Sequence, residues 1–303
     1  MASDGSSKKL RVVLIPFFAT SHIGPFTDFA VRLAAARPDA VEATLAVTPA
    51  NVPVVRSLLE RHGPAGAGSV AIATYPFPAV DGLPAGVENL SKAAPGDAWR
   101  INAVADDEAL MRPAQESLVR ELRPDAIVTD AHFFWNAGLA DELGVPCVQF
   151  YAIGAFSTIA MAHLVGAVKE GAKEVTIPRL PGHDLTIPTT ELPEFLRSSS
   201  EVVIDCSKPK NANSGPSAYF GVVVNTFLDL EAEYCEMYTR DKHAKRAYFV
   251  GPVSPAPPPL PASGESPCLD WLSSKPSRSV VYLCFGSLTH VSDTQLDELA
   301  LGL

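Results

Sequence analysis

Two side chains in this sequence could move a proton together. His22 comes a few residues after the apolar run "RVVLIPFF" (11–18), and Asp130 closes a second run, "AIVTD" (126–130). A carboxylate that accepts the proton of one imidazole nitrogen fixes the ring's tautomer and leaves the other nitrogen as a base. Such a pair suits the removal of a proton from a hydroxyl group. Thr20, Ser21 and Gly24 surround His22 with small residues, and a loop of that kind ahead of a helix N-terminus can receive phosphate oxygens. Each member of the pair also has a plainer role open to it: His22 as a solvated or capping residue, Asp130 as the N-cap of a helix starting near Phe133. Close by, "HFFW" (132–135) and "FYAIGAF" (150–156) gather aromatic side chains that either line an apolar pocket or fill the core. Phe18, His132, Trp135, Tyr151 and Phe156 are the pocket candidates. His163, on a helix with apolar neighbours, is expected to be a packing or surface residue and not a ligand.

For His22 and Asp130 to meet, two strands remote in sequence must end side by side. The patterning provides for this. Strands are expected at 11–18, 42–48, 70–77, 126–129, 145–151, 219–227 and 247–251, and helices at 26–36, 51–63, 98–122, 134–144, 155–171 and 228–240. Strands alternating with helices imply a mostly parallel sheet covered on both faces. In such a sheet ligands bind beyond the carboxyl ends of the strands. Residues 78–97 and 176–217, rich in Pro, Gly, Ser and Asn, are expected to be irregular. The proline cluster at 251–268 reads as a semi-rigid spacer. It divides a domain over 1–250 from the start of a second over 269–303. That second piece holds an expected strand, "SVVYLCFGS" (279–287), and a helix capped by Ser292 with Leu296, Leu299 and Leu303 as its apolar stripe. Some 35 residues cannot bury a core of their own, so the second domain is expected to be unfinished.

Composition narrows the partners. The 34 acidic against 24 basic residues leave a net charge of −10, which argues against nucleic acid and anionic membrane as partners and in favour of small molecules. No apolar run approaches the ~20 residues of a membrane helix, and no signal-type stretch follows the N-terminus, so the cytoplasm is the expected location. Cys147, Cys206, Cys235, Cys268 and Cys284 never fall in a C-x-x-C spacing; they are expected to be free thiols, with no metal site. The missing G-x-G-x-x-G and G-x-x-x-x-G-K-[ST] argue against a dinucleotide oxidoreductase and a P-loop nucleotidase, and the missing G-x-S-x-G against an α/β-hydrolase.

Several segments, in order and over nearly the whole chain, resemble the plant family-1 UDP-sugar-dependent glycosyltransferases: "PFFATSHIGP", "RPDAIVTDAHFFW", "GVVVNTFLDLE", "VGPV" and, most specifically, "CLDWLSSKPSRSVVYLCFGSLTHVSDTQLDELALGL". The resemblance implies the α/β GT-B architecture, two Rossmann-like domains, the first holding the acceptor and the second the UDP-sugar. It implies that His22 is the general base and Asp130 its orienting partner, and that sugar, most often glucose, passes with inversion and without a metal or other cofactor to a hydroxyl of a flavonoid, other phenol or terpenoid. Thr20, Ser21, Gly286 and Ser287 fall at donor-binding positions, Thr20 and Ser287 where the diphosphate is held. Two positions depart from the pattern: Ser21 stands where many members have Gly or Thr, and Tyr151–Ala152 where some have Trp–Thr beside the sugar. The family's long donor-binding box lies beyond the "FGSL" segment and is not reached by Leu303. The chain is therefore expected to bind UDP-sugar poorly and turn over little by itself; the alternative is a shortened, non-catalytic protein that binds small molecules or a partner.

Overall fold

The computed structural model describes residues 8–94, 96–164, 167–168, 171–192, 196, 219–241, 244–255, 266–286 and 291–302. Ser287, Cys206, Leu303 and most of the proline cluster lie outside the described residues. Contacts divide the chain into two units, Met1–Ser254 and Pro255–Leu303.

The first unit is built on strands β1 (Leu10–Ile15), β2 (Val41–Val47), β3 (Val70–Thr74), β4 (Ala126–Asp130), β5 (Cys147–Tyr151), β8 (Gly221–Val224) and β9 (Ala247–Phe249), arranged in the order β3-β2-β1-β4-β5-β8-β9 and all parallel. Between β5 and β8 a separate antiparallel hairpin, β6 (Glu174–Ile177) with β7 (Leu185–Pro188), occupies part of the stretch expected to be irregular. Its alternation places Val175 and Ile177 in the core while Glu174 and Thr176 face out. The prolines and glycines around it mask that short period.

Successive residues of β1 point to opposite faces, and each face has its own helices. Val12 and Leu14 pack with Ile23, Phe26 and Ala30 of α1 (Thr20–Ala36) and with Val55 and Leu59 of α2 (Val52–Glu60). A short α3 (Gly63–Ala67) follows α2. Val13 and Ile15 instead meet Ile101 and Val104 of α4 (Ala98–Asp106), Met111 and Val119 of α5 (Glu108–Leu122) and Leu139 of α6 (Asn136–Leu143). Asp28, buried on α1, accepts from His62 Nε2 at 2.7 Å and so holds α1 to the chain beyond α2. The single helix expected over 98–122 is two, because Asp107 leaves the helical region (φ −90°, ψ 97°) and its carboxylate caps α5 at the Leu110 N–H.

A third cluster joins α7 (Ala155–Leu164), the β6–β7 hairpin, β8 and α8 (Leu228–Arg240). His163 packs on α7, with Nδ1 2.9 Å from the Ile159 carbonyl. Nothing in Ala152-Ile153-Gly154 can cap α7 locally, and Glu231 on α8 does so from outside: the Ala155 N–H donates to Oε2 at 2.7 Å and the Phe156 N–H to Oε1 at 3.3 Å. The backbone of Glu231 is bent out of the helix to reach them (φ −137°, ψ 42°), and a Cβ on Gly154 would lie 2.6 Å from Oε2.

The first unit continues past β9. Val253 is buried, its N–H donates to Asn225 Oδ1 at 3.0 Å, and Arg32 of α1 holds the carbonyls of Val253 and Ser254. In the second unit α9 (Pro267–Ser273) and α10 (Asp293–Gly302) form. Ser292 caps α10, and Gln295 Oε1 accepts from the Ser292 N–H in return, a reciprocal capping box. Over 279–286 the expected strand does not form: among the described residues no strand pairs with this stretch, so its backbone groups have no ladder to join, and Val281 and Tyr282 are exposed.

Replacing Glu231 by Ala is expected to lower stability by about 1–2 kcal/mol, the range of a charge-assisted helix cap. A urea titration measures this, with faster amide exchange expected at Ala155 and Phe156; an unchanged midpoint would show that α7 does not need the cap.

Candidate active site

The strand order reverses between β1 and β4, and a crevice opens at such a switch point beyond the strand ends. Ile15 pairs with Thr129, so the chain leaving β1 passes beside Asp130, the last residue of β4. Pro16 has no N–H to extend the ladder, and the next amide, Phe17, donates to Asp130 Oδ2 at 3.3 Å. The chain then turns into α1. His22 thus stands in the first turn of a helix and not on the loop expected from the sequence; the helix runs through Gly24 and Pro25.

Helix α1 lacks a capping side chain of its own, since its N-cap is Ala19. Ser91 Oγ accepts from the Thr20 N–H at 3.3 Å, and Asn89 Oδ1 from the Thr20 hydroxyl at 3.4 Å. Asn89 is buried and donates to Asn51 Oδ1 at 2.6 Å; Asn51 in turn donates to Thr48 Oγ1 at the end of β2. A stretch expected only to be a surface loop therefore fastens the start of α1. Locally Asn89 only caps a short 3₁₀ turn, accepting from the Ser91 N–H at 2.8 Å; the ties of both residues to Thr20 span 69 and 71 residues and leave no mark in the local sequence.

Asp130 is 2% exposed and receives two side chains. His22 Nδ1 lies 2.8 Å from Oδ2, and His132 Nδ1 lies 2.7 Å from Oδ1. The His132 backbone N–H adds a 3.3 Å bond to Oδ1. Burial alone would raise the Asp130 pKa, but the charges and hydrogen bonds of His22 and His132 outweigh it and hold the group far below the carboxylate range. An ionised carboxylate only accepts, so both Nδ1 atoms carry protons, and in a neutral ring the lone pair then lies on Nε2. For His22, burial pulls the pKa down, and the Asp130 charge and hydrogen bond more than reverse this, leaving it raised. Asp130 therefore orients imidazoles and does not cap α6, which begins only at Asn136.

The other expected residues are not gathered into one lining. Phe18 and Trp135 are core residues, 1% and 2% exposed: Phe18 packs against Phe77 and Phe133, and the Trp135 indole N–H donates to Gln115 at 2.8 Å. Tyr151 and Phe156 pack with the α7–α8 cluster, Phe156 against Tyr234. His132 alone of the five joins the pair, its ring stacked on Phe17 at 3.9 Å and 7°. Ser21 is exposed on the first turn of α1, and Gly286, in the second unit, has a φ of +76° that favours glycine. His22, Asp130 and His132 are also the group, among the described residues, whose ligand atoms lie close enough together (within 4.8 Å) to consider for a metal ion, but both Nδ1 atoms already face Asp130. None of the described helices is long and apolar enough to cross a membrane.

Comparison with known proteins gives relatives for a chain with this parallel sheet and a His–Asp pair at its switch point. No protein-family model matches the chain. It is 30% identical to scopoletin glucosyltransferase of Nicotiana tabacum over 310 residues, 97% of this chain and 63% of that protein. To UDP-glucose flavonoid 3-O-glucosyltransferase 7 of Fragaria ananassa it is 28% identical, covering 98% of this chain and 61% of that one. The structure superposes with a TM-score of 0.74 and 28% identity on a Glycyrrhiza uralensis UGT solved with glycyrrhetinic acid 3-O-monoglucuronide, over 98% of this chain and 60% of that one. With a Medicago truncatula UGT solved with UDP-glucose it shares the fold, at a TM-score of 0.70 and 21% identity, over 97% and 64% of the two chains. In sequence the chain is similar to plant UDP-glucosyltransferases, and it shares the GT-B-type fold of solved plant UGT structures. It spans about three fifths of the length of the curated relatives it matches.

The raised His22 pKa makes stability depend on pH with a definite sign. A group whose folded pKa lies above its unfolded value, near 6.5, adds stability in full below that value and loses it as pH rises through the folded pKa. The melting temperature of the native chain, relative to a His22→Gln variant, is expected to fall between pH 6 and pH 9. A constant difference across that range would show that His22 and Asp130 are not coupled.

Proposed function

We propose that this chain provides the acceptor-activating part of a UDP-sugar-dependent glycosyltransferase. The observation that carries the reading is the His22–Asp130 bond at the sheet's switch point, in a chain that shares its sequence with plant glucosyltransferases along almost its whole length. His22 Nε2 takes the proton of an acceptor hydroxyl. The oxygen attacks the sugar's anomeric carbon, the bond from that carbon to the diphosphate breaks, and UDP leaves with the electron pair, inverting the centre. Asp130 holds the Nδ1–H tautomer and offsets the charge of the imidazolium that forms.

In this reading residues 1–250 bind the acceptor, 251–268 link, and 269–303 begin a donor-binding domain in which Gly286 and Ser287 approach the UDP-sugar. Thr20 and Ser21 face the donor from the first turn of α1. The Thr20 hydroxyl donates to Asn89, so it must turn away from Asn89 to donate to a phosphate oxygen. The acceptor is a small apolar hydroxylated molecule such as a flavonoid, other phenolic or terpenoid; two of the relatives are named for scopoletin and for a flavonoid. The sugar is glucose and the site of action the cytoplasm. With about three fifths of the relatives' length, the 303 residues alone are expected to bind acceptor and to transfer little sugar.

The test uses a form extended to the relatives' full length, with UDP-glucose and a panel of phenols. His22→Ala is expected to lower kcat/KM by about 10²–10⁴-fold, the range of general-base catalysis, and Asp130→Asn by less. Activity is expected to climb with pH as His22 loses its proton, on a limb above the ordinary imidazole range. Near-normal turnover by His22→Ala would remove His22 from the mechanism.

A further inference from the structure

Asp130 holds two imidazoles, and the proposed reaction uses one of them. The second is placed with as much definition as the first. His132 Nδ1 is 2.7 Å from Oδ1, its own backbone N–H meets the same oxygen at 3.3 Å, and its ring lies flat on Phe17 at 3.9 Å. Phe17 in turn donates its N–H to Oδ2, the oxygen that holds His22. The two rings stand 5.3 Å apart between centroids, close to perpendicular at 78°.

We propose that His132 is a positioning residue for the His22–Asp130 pair: by occupying Oδ1 it stops the carboxylate from rotating and moderates the hold of Oδ2 on His22. The argument is one of charge and geometry. A carboxylate with both oxygens engaged cannot turn about its Cβ–Cγ bond without breaking a hydrogen bond to a ring that Phe17 keeps in place. An N–H at Oδ1 also draws negative charge toward that oxygen, so Oδ2 binds the His22 proton less tightly than it would alone. The bond at Oδ1 thus lets His22 give up its proton more readily than it would beside Asp130 alone, which suits a base. Among the described residues Tyr75 also feels the Asp130 charge; burial, with the negative charges of Asp130 and Glu88, drives its pKa far up, so its phenol stays neutral.

This inference rests on His22 being the base, but it is tested by proton titration of the 303-residue chain, without sugar transfer. A failure here is thus separable from a failure of the proposed reaction. Histidine ring resonances in nitrogen-15 NMR report both tautomer and titration midpoint. In the unmodified chain His132 is expected in the Nδ1–H tautomer. His132→Phe, which keeps the stack on Phe17 and removes the donor, is expected to move the His22 midpoint up by about half a pH unit or more. His132→Asn, whose amide nitrogen can reach the place of Nδ1, is expected to return it to the native value. A bare Nδ1 on His132, a His22 midpoint unmoved by His132→Phe, or an equal movement in the Asn variant would each overturn the proposal. Should the Phe variant not fold, the tautomer in the unmodified chain decides.

Discussion

Four N–H groups converge on the carboxylate of Asp130, two on each oxygen, and the architecture around the site follows from satisfying that one buried charge. An ionised carboxylate at 2% exposure is costly unless its lone pairs are met. Here the donors come from three places: the chain just past β1, the first turn of α1, and the turn after β4. Parallel pairing of β1 with β4 brings the first and last of these to the same point. The second arrives because α1 starts within five residues of the end of β1, early enough for position 22 to face back toward the sheet. If β1 and β4 slipped by one residue, the donors from Phe17 and His22 would no longer meet Asp130, and only the local pair from His132 would remain.

The parts that hold this arrangement are of two kinds. The first is the apolar packing of the sheet, with alternate residues of β1 buried under different helices. The second is a set of long-range polar ties: Ser91 and Asn89 on the start of α1, Arg32 of the same helix on the carbonyls of Val253 and Ser254, and Glu231 on the start of α7. Each tie satisfies backbone groups or a helix end that the local sequence leaves without a partner. Those from Ser91, Asn89 and Arg32 link the helix that carries His22 to segments remote in the chain, and that from Glu231 fixes α7.

That division also marks what could be seen in the chain beforehand. The strands and most helices were legible because their apolar residues repeat with periods set by local geometry. The meeting of His22 and Asp130 followed from the general rule for parallel sheets. The start of α1 was not legible: Ala19 gives no capping signal, and Gly24-Pro25 looks like a break, while the cap is supplied by Ser91 from far along the chain. The aromatics near Asp130 were ambiguous for a different reason, since core and pocket draw on the same residue types; only the partners of Trp135 and Phe18 separate the two. At 279–286 an apolar stretch with strand character is not a strand, because strand structure is a property of a pair and not of one segment.

The placement of β4 beside β1 has a consequence for the order in which the molecule comes into being. β1, β2 and β3 lie within the first 74 residues and pair only with one another on that side, so half a sheet can form from the N-terminal quarter of the chain. Its inner edge, β1, then waits for residues 126–130. A ribosome adding about 5–20 residues per second leaves that edge uncovered for some seconds after β3 has emerged. Throughout that interval β1 presents a bare row of backbone donors and acceptors, open to strands of other nascent chains. The strand pair on which the His–Asp bond depends is thus also the joint that closes the growing chain against such encounters.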